Sequence, residues 1–136
     1  MSEVLERYEM AITVEDDVII VRRRVRDLAQ ACRFSVFAGS AVTTAASELA
    51  RNVFVHGGGK AIIEKLEDEA RLGIRMVFQD EGPGILELER ALAGGYSTTK
   101  SMGLGLSGGR RLVDDFEIET APGRGTKVTL TKWTLF

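Results

Sequence analysis

The stretch GGYSTTKSMGLGLSGGRRL, residues 94–112, constrains this chain more than any other. Within it, Gly103-Leu104-Gly105-Leu106-Ser107-Gly108 satisfies G-x-G-x-x-G. In dinucleotide-binding folds that pattern directly follows a strand and opens the helix of a βαβ unit. Here the preceding residues, Ser97 to Ser101, are polar and lack strand character, and the elements that follow read as a hairpin rather than a parallel crossover. The dinucleotide reading fails on context. What survives is its physical core, glycines opening a helix whose free N–H groups and positive dipole end favour phosphate. The hydroxyl-rich loop before it carries Lys100 and is long enough to close over a ligand. A P-loop is absent, since Lys60 follows a glycine run but is succeeded by Ala61-Ile62. H-R-D and D-F-G, the marks of eukaryotic-type protein kinases, are missing too.

The remaining sequence sets the frame for this loop. Apolar residues at Val18, Val21, Val25, Leu28 and Cys32 recur at spacings of three and four, which predicts an amphipathic helix over 16–33. Asp16 and Asp17 suit its positive end. Ser35 is the expected N-cap of a second helix that runs to Val55, with Val42, Ala45, Ala46, Leu49 and Val53 on its buried stripe, and Gly57-Gly58-Gly59 ends it. A first strand is expected over 7–14, and a hairpin over 60–66 and 72–79, in which Leu72, Ile74, Met76 and Phe78 share a face. A short helix over 86–93, a loop over 94–102, a helix over 105–114 and strands over 116–120 and 127–133 complete the order. Helices and antiparallel strands are segregated, so the class is α+β: a mixed, mostly antiparallel sheet with helices on one face.

At 136 residues and 44% apolar composition, the chain is expected to form one domain over 1–136 with a single core. Fifteen glycines, about 11% against a usual ~7%, are unusual, and twelve lie between residues 57 and 109, separated by apolar runs. Such texture belongs to tight turns, one use of which is backbone approaching a ligand. A net charge of −2 argues against nucleic acid as the main partner. The basic cluster Arg22, Arg23, Arg24 and Arg26 sits among acids and reads as a solvated helix face. The lone Cys32 excludes an internal disulfide framework and reads as a buried structural thiol. The charged start and the lack of any long apolar run point away from a leader or a membrane span, so a soluble, cytoplasmic protein is expected.

Two further motifs bear on the glycine loop. In SELARN, residues 47–52, Glu48 and Asn52 stack one turn apart on a helix. Alone, such a pair is most often a solvated pair on a helix surface. Yet Asn is a weak helix former, its amide oxygen suits a hard cation, and a carboxylate one turn away could accept a proton. In DEGPGI, residues 80–85, Asp80 ends an apolar strand, where a carboxylate costs energy unless it is solvated or meets a donor such as a purine amine. Gly82 and Gly84 around Pro83 let the main chain pass close to a flat ligand, although an ordinary post-strand turn has the same composition.

Taken in order, SELARN, DEGPGI, STTKSMGLGLSGG and the GRGT at 123–126 resemble the N, G1 and G2 boxes of the GHKL superfamily of gyrases, Hsp90-type chaperones, histidine kinases and anti-sigma-factor serine kinases. The match covers almost the whole chain. TTAASELARN, DEGPGI, YSTTKSMGLGLSG and the closing TKW look most like the RsbT-type switch kinases of the stressosome. The resemblance implies the Bergerat two-layer sandwich, ATP and Mg2+ as ligands, and phosphorylation of serine or threonine on a STAS-domain partner. It further implies Glu48 as catalytic base and Asn52 as magnesium ligand. Asp80 would take the adenine amino group, with Gly82 and Gly84 near the ring and Thr126 assisting. Gly103, Leu104 and Gly105 would cradle the phosphates, and Lys100 stands in the lid. Met102 and Leu104 are bulkier than a lid of this type tends to carry, and the small residue usual in close relatives is here Lys100. Competing readings are a non-catalytic ATP-binding module that activates a PP2C-type phosphatase by contact, an anti-sigma factor, and a histidine-kinase ATPase domain. His56, the only histidine, is read as a cap or packing residue.

Overall fold

The computed structural model describes residues 2–82, 113–120 and 125–134. Strand β1 (Glu3–Ile12) leads into helices α1 (Glu15–Ala31) and α2 (Val36–Val55). Strands β2 (Gly59–Asp68) and β3 (Arg71–Asp80) form a hairpin, and β4 (Asp115–Thr120) and β5 (Thr126–Trp133) follow. The order across the sheet is β1-β2-β3-β5-β4, and each described pairing is antiparallel. The described residues are α+β, a sheet with two helices packed on it, in accord with the sandwich expected from the sequence; the helices expected over 86–93 and 105–114 lie outside them.

The helix ends follow from local chemistry. Asp17, at the third position of α1, accepts hydrogen bonds from the backbone N–H groups of Thr13 (2.9 Å) and Val14 (3.1 Å). These bonds hold its carboxyl below the usual range and occupy the two donors that would otherwise prolong β1. That is why the strand stops at Ile12 rather than at Val14. It also begins at Glu3 rather than Arg7, because pairing with β2 continues through Val4↔Leu66 and Glu3↔Glu67, past a shift in register at Val4/Glu6. Residues 3–6, Glu-Val-Leu-Glu on an edge strand, are mostly exposed and carry no period-two alternation. Ser35 caps α2 as anticipated, its Oγ accepting from the Ala38 N–H at 3.1 Å.

The core lies between the helices and one face of the sheet. All five predicted α1 positions, including Cys32, and all five predicted α2 positions are buried in it. From the sheet come Ile63, Ile74, Met76, Phe78 and Leu130, with Leu72 partly buried at the margin. Among the described residues no helix is long and apolar enough to cross a membrane.

Register decides which neighbour faces the core. Ile63 is fully buried, whereas Ile62 is only partly buried and lies outside the core cluster. Ile63→Ala is therefore expected to cost about 2–5 kcal/mol and Ile62→Ala under about 1.5 kcal/mol, measured by urea unfolding. Equal costs would overturn the register.

Candidate functional site

Asp80 is the last residue of β3, paired with Gly59 on one side and Thr126 on the other. Because side chains alternate, it shares the inward face with Ile74, Met76 and Phe78, and is only 6% exposed. Burial pushes its carboxyl above the usual range. Hydrogen bonds from the backbone N–H groups of Gly82 (2.8 Å to Oδ1) and Thr126, together with nearby His56, pull the other way but do not cancel it. Two N–H bonds leave a carboxylate with lone pairs to spare for a further donor.

The turn before β5 is built around this residue. Gly125 has φ +76°, and a Cβ there would lie 2.2 Å from the Asp80 carbonyl oxygen, so both conformation and space demand glycine. Thr126 is buried, with its Oγ1 3.0 Å from that of Thr120, and the Thr120 hydroxyl donates to the Gly125 carbonyl at 3.1 Å. With the Thr120 proton used there, Thr126 donates to Thr120 and keeps its own lone pairs for a ligand donor. Asp80, Thr120, Gly125 and Thr126 line a shallow hollow of about 350 Å3.

The C-terminal half of α2 supplies the second part. Glu48, Asn52 and His56 recur every four residues and so share a helix face. Glu48 is exposed, in a hollow with Arg22, Arg26, Thr43 and Ser47. Asn52 is 5% exposed, and neither its Oδ1 nor its Nδ2 has a partner among the described residues. A buried polar group left unpaired costs about 1–3 kcal/mol, so an amide kept in this state is one that a ligand could satisfy. His56 caps α2, its N–H donating to the Asn52 carbonyl at 3.0 Å, while its enclosed Nε2 also lacks a partner. A Cβ on Gly82 would lie 2.8 Å from the His56 carbonyl oxygen and 3.1 Å from the Asp80 carboxylate. Only glycine lets the chain after β3 close against the end of α2.

Of the predicted site residues, then, Asp80, Gly82 and Thr126 converge. Asn52 connects to them through His56, and Glu48 stands one turn further out, lining a different hollow from Asp80. Gly84, Lys100, Gly103, Leu104 and Gly105 lie outside the described residues. His56 is the cap and packing residue expected from the sequence, but its packing partner Gly82 and the part played by Thr120 are not read there. The spacing Asn52 to His56 was the available signal for the first. Nothing in the sequence pointed to the second, which depends on the β4–β5 register Thr120↔Thr126. Among the described residues no three His, Cys, Asp or Glu gather into a metal cage. Asn52 fits a magnesium ion that takes its remaining ligands from phosphate and water.

The buried carboxyl has a consequence for stability. Its pKa is higher in the folded chain than the ordinary 3.8, so between those values the folded state holds more protons than the unfolded one. Unfolding free energy contributed by Asp80 therefore falls as pH rises through that window. Asp80→Asn removes this slope. The stability of the wild type relative to the variant, from urea midpoints between about pH 4 and about pH 8, is expected to decline with pH. A difference constant with pH would show that Asp80 is not desolvated.

Comparison with known proteins places the fold in a family. The profile of the histidine kinase-like ATPase domain matches residues 12–132. The chain is 35% identical to the serine/threonine-protein kinase RsbT of Bacillus subtilis over 90% of its length and 92% of that protein's. It is 33% identical to the anti-sigma F factor of B. subtilis, over 67% of this chain and 66% of that one. A crystal structure of the SiaB–SiaC complex from Pseudomonas aeruginosa contains a chain with the same fold, at 13% identity and a TM-score of 0.56, covering 96% of this chain and 90% of that one. The chain belongs to the histidine kinase-like ATPase (GHKL) family, and within it to the serine/threonine kinases of the RsbT type.

Proposed function

We propose that this protein transfers the γ-phosphoryl group of Mg-ATP to a serine or threonine hydroxyl of a STAS-domain partner, as a cytoplasmic partner-switching kinase of the stressosome kind. The observation that carries the reading is the run along α2 into β3. An exposed carboxylate, Glu48, stands one turn from a buried amide without a partner, Asn52, which leads through His56 to a desolvated carboxylate, Asp80.

In this reading Asp80 accepts from the adenine amino group, aided by the lone pairs of Thr126, and burial strengthens that bond. Asn52 gives its amide oxygen to magnesium, and the metal supplies charge neutralisation for the phosphate oxygens when bound. Gly84 keeps its place near the adenine ring, Gly103, Leu104 and Gly105 cradle the phosphates, and Lys100 stands in the lid. Glu48 takes the proton of the acceptor hydroxyl as its oxygen bonds to the γ-phosphorus, the bond to the bridging oxygen breaks, and ADP leaves. Catalysis of this sort is mainly positioning and electrostatics, which suits a site with one acid and one amide. A phosphate added to the partner repels Glu48 and weakens the complex, the physical basis of a switch that can hand the kinase on to a PP2C-type phosphatase.

The anti-sigma F relatives favour a second reading, in which the chain holds a sigma factor and phosphorylates its antagonist. Incubation of the protein with Mg-ATP and a STAS-domain protein of its source organism tests the first reading, scored by acid-stable phosphate on serine or threonine. A pull-down of sigma factors tests the second. Glu48→Ala is expected to lower transfer by at least about 100-fold while ATP affinity changes less than about threefold, measured by calorimetry. Asn52→Ala should abolish the magnesium dependence of ATP binding. Transfer surviving Glu48→Ala would remove Glu48 as the base.

A further inference from the structure

The hollow that holds Glu48 continues beyond it. It lies where α1 and α2 run side by side, and it shares Arg26, Thr43 and Thr44 with a second hollow of about 390 Å3 toward the other end of the helix pair. Ala29, Phe34, Val36 and Gly39 give this second hollow apolar walls. Val36 and Phe37 stand at its end of α2, 89% and 88% exposed, with no packing role inside the chain to explain them. Between the apolar end and Glu48 stand Arg22 and Arg26. Among the described residues Arg22 and its neighbour Arg23 have no ion pair, and Arg26 meets only Asp27, at 3.9 Å between exposed groups. The result is one trough with an apolar pocket at one end, arginines in the middle and the proposed base at the other.

We propose that this trough is the docking groove for the acceptor-bearing segment of the protein substrate. The inference rests on the reading of Glu48 as the base of a kinase and goes on to name the chemistry of what docks. An acidic segment is the occupant that Arg22 and the weakly paired Arg26 select, because it neutralises them and is steered toward them. The apolar pocket takes a hydrophobic anchor, of the kind that carries most of the energy at protein interfaces. Gly39 and Glu48 are nine residues apart on α2, about 13 Å along the axis, which an extended segment crosses in about four residues. The substrate segment thus carries an apolar side chain about four residues from its acceptor serine or threonine, with one or more carboxylates between. Phosphorylation adds negative charge beside Glu48 and loosens the same segment.

The test uses the full chain and the STAS-domain protein of the transfer assay. Arg22→Glu combined with Arg26→Glu reverses the charge of the trough. Gly39→Met fills the pocket, and it does so on a helix where a Cβ meets nothing nearer than 3.7 Å. Each variant is expected to raise KM for the protein substrate at least about tenfold, with kcat at saturation and ATP affinity within about twofold of wild type. A photo-crosslinking residue in place of Phe37 should capture the same substrate near its acceptor. Unchanged KM in both folded variants, or capture of a second copy of this chain instead, overturns the docking groove while leaving the kinase reading intact. Absence of transfer by the wild type removes the kinase reading, and the groove with it.

Discussion

The site depends on one costly placement, a carboxylate at the buried end of a central strand. Alternation along β3 turns Asp80 to the same face as Phe78 and Met76, so it cannot reach solvent without undoing the register. The chain offsets this cost with backbone donors and the nearby His56, which together do not cancel it. The N–H groups of Gly82 and Thr126 hold the carboxylate, and each requires a glycine at or beside it. Gly82 lets the segment after β3 close on α2, and Gly125 lets β5 begin against the Asp80 carbonyl. Neither donor is a charge, so the carboxyl remains desolvated and strongly directional toward a further N–H.

Asn52 is the complementary case. Its helix places it inside, next in the stripe to Leu49 and Val53, where a leucine would pack at no polar cost. An amide with both ends unpaired among the described residues costs stability, and functional sites are where such costs are tolerated. One turn outward the same face reaches solvent at Glu48, so α2 passes within eight residues from an exposed acid to the cap at His56. The helix therefore sets the order of the groups along the site, and the β3–β5 register closes its inner end.

The outer end belongs to a different surface. Among the described residues the sheet covers one side of α1 and α2, and their other side carries a trough between them with Glu48 at one end. The two-layer architecture thus separates a buried end at Asp80 from an exposed end at Glu48, with Asn52 between them.

Much of this was legible in the residues. The 3.6-residue stripes of both helices, the Ser35 cap, the β2–β3 hairpin and its inward face are local patterns, and the structure reproduces each because local preference and burial agree. The motifs carrying Glu48, Asn52, Asp80 and Thr126 were visible as residue types whose chemistry exceeds what packing needs. The start of β1 was not legible, since its largely exposed residues Glu3 to Glu6 show no alternation of polar and apolar positions. The Thr120–Thr126 hydroxyl pair and the contact of His56 with Gly82 were not legible either. They join elements far apart in the chain, and only strand register and the seating of α2 on the sheet bring them together. By itself the sequence determined which segments are helix or strand and which groups are worth burying, because those follow from short-range periodicity and side-chain chemistry. Which of these groups meet, and which stay unpaired, was decided by tertiary structure, because the desolvation that gives Asp80 and Asn52 their character exists only once α2 lies over β3.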